Sequence, residues 1–229
     1  MLLALAGLKG GTGRTTLAVA LAAEARARGR RTLLIDLDPR GDAHAWSRSA
    51  QDQGLDRDLT PTTLHLPSVA GGSIGAEDRL RGLALGYDLT VIDTPNDPEL
   101  LAIVAGVAEL TLIPCRPSPM DAWATVDTVE TCVCGRTLDN FRMQIAVVPN
   151  AVDPRTTIGG ALANDLRALG LPVLRCAINR RVAHQEAMAH GSTASLDAPS
   201  SAAAREIGEL LDTIEALRLP HDEAAFVRH

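Results

Sequence analysis

The strongest constraint on the fold is a glycine-rich stretch, Lys9-Gly10-Gly11-Thr12-Gly13-Arg14-Thr15-Thr16, set between two patterns of different period. The apolar run Met1-Leu2-Leu3-Ala4-Leu5-Ala6 leads into it, and a helical pattern, Leu17-Ala18-Val19-Ala20-Leu21-Ala22-Ala23-Glu24, follows. Strand, glycine loop and helix is the context that a phosphate-binding loop requires. Glycines let the backbone wrap an anion, the amide N–H groups then point inward, and the helix N-terminus adds a partial positive charge. Thr15 stands where a hydroxyl would ligand Mg²⁺.

Two further apolar runs end in acids. Arg31-Thr32-Leu33-Leu34-Ile35-Asp36-Leu37-Asp38-Pro39 and Tyr87-Asp88-Leu89-Thr90-Val91-Ile92-Asp93-Thr94-Pro95 both read as buried strands. Acids at the carboxyl ends of parallel strands sit beside the ligand crevice of an open α/β sheet. Around these runs the pattern alternates strand and helix without an obvious linker, which predicts one domain over residues 1–229. The expected fold is α/β, a single doubly wound and mostly parallel sheet flanked by helices.

The remaining elements follow the same alternation. Helices are expected over about residues 15–28, from Asp42 through Trp46 at the surface, to about Leu85 after a break at Gly71-Gly72-Ser73, over about 122–136 and over 202–217. Gln51 to Pro61 reads as a polar loop. Short strands are expected at Thr62–Leu66, Glu109–Pro114, Met143–Asn150 and, last, Leu171-Pro172-Val173-Leu174-Arg175. In the 202–217 helix, Ile207, Leu210, Leu211 and Ile214 share one face, while Glu206, Glu209, Asp212 and Glu215 make the rest acidic. A membrane-surface helix needs a basic polar face, so this one is expected to pack on the sheet instead.

Composition limits the remaining options. A chain of 229 residues with 46% hydrophobic content can bury a substantial core. Net charge of −6 argues against a uniformly basic nucleic-acid binder but leaves room for a local patch. Of the 22 basic residues a single one is lysine, Lys9. The four cysteines, Cys115, Cys132, Cys134 and Cys176, form no CxxC pair, and Cys132-Val-Cys134 is too tight for the usual metal spacing. They read as reduced, buried thiols of a cytosolic protein. No signal peptide is expected before the first strand, and no apolar run reaches membrane-spanning length.

The glycine loop departs from the general P-loop pattern, which wants Gly at position 8 and Lys at position 14. This chain has Leu8, Arg14 and an early lysine, Lys9. It thereby resembles the deviant Walker A form, Lys-Gly-Gly-x-Gly-Lys-Thr-Thr, of the ParA/MinD family of dimeric ATPases. Arg116-Pro117-Ser118-Pro119-Met120-Asp121-Ala122-Trp123 is similar to the Pro-Ser-Pro-x-Asp-x-Trp segment of small ParA-type partition proteins lacking an N-terminal helix-turn-helix domain, for which this chain has no room before its first strand. In that family this segment lies near the dimer interface, and as a Pro-rich loop it would also allow Trp123 to pack as core.

The resemblance carries specific implications. ATP and Mg²⁺ would be the cofactors, bound by Lys9, Gly10, Gly11, Thr12, Gly13, Arg14, Thr15 and Thr16. Asn150, at the end of its strand, would read adenine. Thr15, Asp36 and Asp93 would hold the metal directly or through water. Lys9, Arg14 and Asp38 would be catalytic, Lys9 by reaching the partner's nucleotide across a homodimer and Asp38 by positioning the attacking water. Arg40 stands where the family often has Gln. Arg180 and Arg181 are candidates for DNA or interface contacts. The implied protein is a cytoplasmic, nucleoid-associated ATPase, slow and stimulated by a ParB-like or small adaptor protein. It would bind DNA non-specifically, use no membrane, and partition or position a plasmid, chromosome region or microcompartment. Because guanidinium does not replace ammonium at a phosphate, the alternative is a nucleotide-gated DNA-binding module with little or no hydrolysis. A nitrogenase-iron-protein-like reductase lacks matching cysteines here, and the Pro-Ser-Pro segment argues against a dethiobiotin-synthetase-like ligase.

Overall fold

A computed structural model describes residues 1–55, 59–67, 75–135 and 143–217. Six strands form one parallel sheet: β1 (Leu2–Leu5), β2 (Thr32–Asp36), β3 (Thr62–His65), β4 (Leu89–Asp93), β5 (Leu110–Cys115) and β6 (Gln144–Pro149). Their spatial order is β3-β2-β4-β1-β5-β6. The helices are α1 (Arg14–Ala27), α2 (Asp42–Asp52), α3 (Ala76–Ala84), α4 (Pro98–Val107), α5 (Pro119–Cys134), α6 (Thr157–Ala168), α7 (Val182–Ala189), α8 (Ala194–Asp197) and α9 (Ala202–Leu217).

Side-chain alternation along each strand explains why helices cover both faces. Leu3 and Leu5 of β1, Leu34 of β2 and Val91 of β4 point to one side, where they pack with α1, with Trp46 of α2 and with Ile207, Leu210, Leu211 and Ile214 of α9. Leu2, Ala4, Leu33 and Ile35 point the other way, onto Leu80 of α3 and Leu100 and Val104 of α4. Ile113, Ile145 and Val147 continue that second face under Cys132 of α5 and Leu162 and Leu166 of α6. A doubly wound sheet follows from strands that are apolar on both sides.

Local chemistry sets the helix ends. The Asp97 side chain accepts from the amides of Glu99 and Leu100 and is followed by Pro98, which together start α4. Gly29, left-handed at φ 82°, stops α1. The helix expected over 122–136 starts earlier, at Pro119, because proline at the first helical position sacrifices no hydrogen bond. Its expected end at Arg136 lies outside the described residues, as do Gly71, Gly72 and Ser73. Gln51 and Asp52, read as loop, close α2.

Three expectations are corrected. Leu171–Arg175 is not a strand: Val173 makes a single parallel bridge to Val147, because Pro172 has no N–H with which to extend a ladder. Trp123 is 59% exposed rather than packed as core. Cys115 and Cys132 are buried, but Cys176 is half-buried and Cys134 is exposed, on a turn of α5 that no layer covers.

Candidate functional site

The crevice is built at the point where the chain's strand order reverses. β1 feeds the glycine loop, β4 inserts between β1 and β2, and its register sets Asp93 beside both Leu5 of β1 and Asp36 of β2. The two strand-end acids of the sequence therefore sit side by side at the mouth of the loop. The loop opens α1, whose N-terminus faces the same crevice.

Asp93 is the most constrained group. Both carboxylate oxygens are buried and without a well-formed hydrogen bond. Burial pushes its pKa up to about 7, with Asp36 and Asp38 adding to the rise; the nearby Thr15 hydroxyl and Arg14 favour the ionised form without overcoming it. Asp36 is fully buried, and burial raises its pKa although its oxygens accept from the amides of Asp38 (3.0 Å) and His44 (3.0 Å). Asp93, without hydrogen-bonded partners, has the Thr15 hydroxyl and Asp36 beside it, oxygen donors of the kind a hydrated Mg²⁺ takes. Among the described residues no three metal-ligating side chains converge on one point, so the fit is to an ion that is held by one or two protein oxygens and completed by water and phosphate.

Asp38 is held differently. Its Oδ1 accepts from the Arg40 amide (3.0 Å) and Nε (3.3 Å), and its Oδ2 accepts from Arg40 Nη2 (3.1 Å). Burial would raise its pKa, but the bonds from Arg40 outweigh that and lower it. His65 packs behind this turn, its Nε2 2.9 Å from the Asp38 carbonyl and its ring stacked on His44. His44 is thus part of the wall rather than of the crevice.

Arg14 does not extend into the loop. Its Nη1 donates to the carbonyls of Gly7 (2.5 Å) and Thr94 (2.9 Å), and its Nη2 to Asn96 Oδ1. The guanidinium is buried, and burial lowers its pKa even with Asp93 and Asp38 nearby. It ties the loop to the segment after β4. Lys9, which the resemblance sends across a dimer, is instead paired with the buried Asp121 of α5 in its own chain.

The far side of the loop opens into a cavity of about 350 Å³. Thr12, Gly13, Thr16 and Asn150 form its loop end, and Arg180, Arg181, His184 and Gln185 its other wall. Asn150 Nδ2 donates to the Thr12 carbonyl at 2.6 Å. A Cβ at Gly13, whose φ is +96°, would come within 2.4 Å of that nitrogen, so glycine is required there. Arg181 is committed to Glu206 through Nε (3.0 Å) and Nη2 (2.6 Å). The structure thus brings Thr12, Gly13, Thr16, Asn150, Arg180 and Arg181 to one cavity and keeps Lys9 and Arg14 on other partners.

Sequence reasoning missed Asp121, Asn96 and Arg116. Asp121 lies in the Pro-Ser-Pro segment, but nothing in the sequence pairs it with Lys9. Asn96 follows the second acidic strand end by three positions, the one signal that could have drawn attention to it. Arg116 lines the cavity and its Nη1 donates to the Gly11 carbonyl at 3.0 Å.

Comparison with known proteins gives the family and the fold. Residues 3–194 match the model of the CobQ/CobB/MinD/ParA nucleotide binding domain. The chain is 31% identical over 215 residues to maintenance of carboxysome distribution protein A of Halothiobacillus neapolitanus, covering 93% of this chain and 95% of that one. It is 30% identical over 236 residues to the chromosome-partitioning ATPase Soj of Thermus thermophilus, at the same coverages. Cobyrinic acid a,c-diamide synthase of Mycobacterium smegmatis, solved with ADP and magnesium, shares the fold at a TM-score of 0.72 and 22% identity, covering 93% of each chain. A P-loop sheet with paired strand-end acids, a family match over most of the length and relatives 30% and 31% identical over nearly the whole chain lead to one conclusion: the chain belongs to the CobQ/CobB/MinD/ParA nucleotide-binding family of ATPases.

Proposed function

We propose that this protein is a ParA-type ATPase that binds ATP with Mg²⁺, dimerises in that state, binds DNA without sequence preference, and positions a cargo with an adaptor protein. The observation that carries the reading is the in-register pair Asp36 and Asp93 beside a glycine loop that opens α1. The carboxysome-distribution relative, similar over nearly its whole length, favours a cargo of the microcompartment or chromosome kind.

The chain's residues divide the work. Loop amides and the α1 N-terminus bind the phosphates. Thr15, Asp36 and Asp93 hold the metal, which when bound neutralises phosphate charge and organises its oxygens. Asn150 fixes the loop through Thr12 and borders the base end of the cavity. Lys9 leaves Asp121 to meet the phosphates of a second copy. Met120 and Trp123, both exposed on α5 next to Asp121, supply apolar area for that face. Arg180, exposed at the cavity rim, is available to a partner or to DNA, whereas Arg181 is already neutralised by Glu206. Among the described residues no helix is long and apolar enough to cross a membrane, and none of this chemistry requires one.

A second reading has its own support. Asp38 is clamped by Arg40 and Arg14 is turned away from the loop, so the same chain can act as a nucleotide-gated DNA clamp with little turnover. One experiment separates the two: light scattering with ADP and then with ATP plus Mg²⁺, run beside phosphate release with and without DNA. An ATP-dependent dimer with DNA binding and measurable phosphate supports the ATPase. The same dimer without phosphate, even with DNA, supports the clamp. No nucleotide-dependent dimer overturns both.

A further inference from the structure

We propose that Arg116 is a phosphate ligand of this site, carrying the charge that Arg14 does not deliver. The inference rests on the reading of the loop as a nucleotide site. A polyphosphate in the loop needs cationic donors in addition to amides. Four of the cations around the loop are already committed. Arg14 spends three N–H groups on Gly7, Thr94 and Asn96. Lys9 is on Asp121, Arg40 on Asp38 and Arg181 on Glu206.

Arg116 differs from all of them. It follows β5, one of the two strands hydrogen-bonded to β1, and so emerges beside the loop that β1 feeds. Its Nη1 rests on the Gly11 carbonyl at 3.0 Å, and its side chain lines the same cavity as Thr12, Gly13 and Asn150. Among the described residues no carboxylate pairs with it. A guanidinium whose one contact is a neutral carbonyl on the loop keeps its other N–H groups for an anion, and its planar fork suits two phosphate oxygens. Arg180 also has no carboxylate within salt-bridge distance among the described residues, but it makes no bond to the loop and borders the cavity's other end.

The test compares the full chain with Arg116→Gln and Arg116→Lys. Fluorescent ATP and ADP analogues with Mg²⁺ are titrated and read by anisotropy, and each protein is melted without nucleotide. Glutamine removes the charge and ends two bonds short of Nη1, so it loses the Gly11 contact as well, and the melt without nucleotide is what separates a lost strut from a lost phosphate ligand. The expected result is a loss of at least about tenfold in affinity for both nucleotides in Arg116→Gln, partial recovery in Arg116→Lys, and unchanged melting. Parent-like binding by Arg116→Gln overturns the proposal and leaves the nucleotide site standing. Weakened binding with a matching fall in melting temperature also overturns it, because Arg116 is then a strut. A parent chain that binds neither nucleotide overturns the proposal together with the reading beneath it.

Discussion

Arg14→Ala asks whether the residue at the P-loop cation position is a staple or a ligand. In the structure its guanidinium bonds the carbonyls of Gly7 and Thr94 and the side chain of Asn96. Each charge-assisted bond contributes about 1.5–3 kcal/mol, and truncation strands two buried carbonyls. Returning the guanidinium to water offsets part of this, because burial already disfavours its charge. The net loss is about 3–5 kcal/mol, in line with removing one partner from a buried charged cluster. For a chain of this size each kcal/mol shifts the melting temperature by about 2–4 °C, so a fall of roughly 6–20 °C is expected without nucleotide. Calorimetry measures it. Nucleotide affinity of the folded variant should change less than that of Arg116→Gln. The reasoning is refuted if Arg14→Ala melts within about 2 °C of the parent yet loses nucleotide binding, because the side chain then leaves its carbonyl cage for the phosphate.

Two other perturbations follow from the geometry. Arg40→Gln releases Oδ2 of Asp38 and leaves Oδ1 on the Arg40-position backbone amide alone, and since a half-exposed ion pair is worth about 1 kcal/mol, basal phosphate release should rise by up to about fivefold; an unchanged or lower rate in a coupled phosphate assay would count against Asp38 as the water-positioning acid. Burial alone would raise the Glu206 pKa, but bonds from Arg181 and Asn179 outweigh it and hold it below the ordinary value. A depressed carboxyl stabilises the fold above its unfolded pKa, and that contribution is lost as pH falls through the folded one. Glu206→Gln should therefore lower the melting temperature at neutral pH and flatten its decline as pH falls below the ordinary carboxyl value, and a decline as steep as the parent's would refute the assignment.

The glycine loop and the strand-end acids were legible because their information is local. Gly13 needs a positive φ, and Asp36 and Asp93 close apolar runs of strand length. That Asp36 and Asp93 are neighbours came only through the family resemblance, because it depends on β4 entering the sheet between β1 and β2, a fact of topology that no spacing encodes. The fate of Arg14 depended on Asn96, 82 residues away, and that of Arg116 on Gly11, 105 residues away. The false strand at Leu171–Arg175 had its warning in the sequence, since Pro172 cannot donate to a ladder. Trp123 was ambiguous because an aromatic residue on a helix reads the same whether it faces a core or a second subunit.

The ion pair between Lys9 and Asp121 has a spectroscopic consequence. The chain has no other lysine, so reductive methylation with ¹³C-formaldehyde places one labelled ε-amine in the whole molecule, alongside the α-amine of Met1. Its resonance reports whether that ammonium rests on its own carboxylate or has gone elsewhere. Titrating nucleotide into the labelled protein would therefore show whether Lys9 stays on Asp121 or leaves it, read from a single lysine resonance.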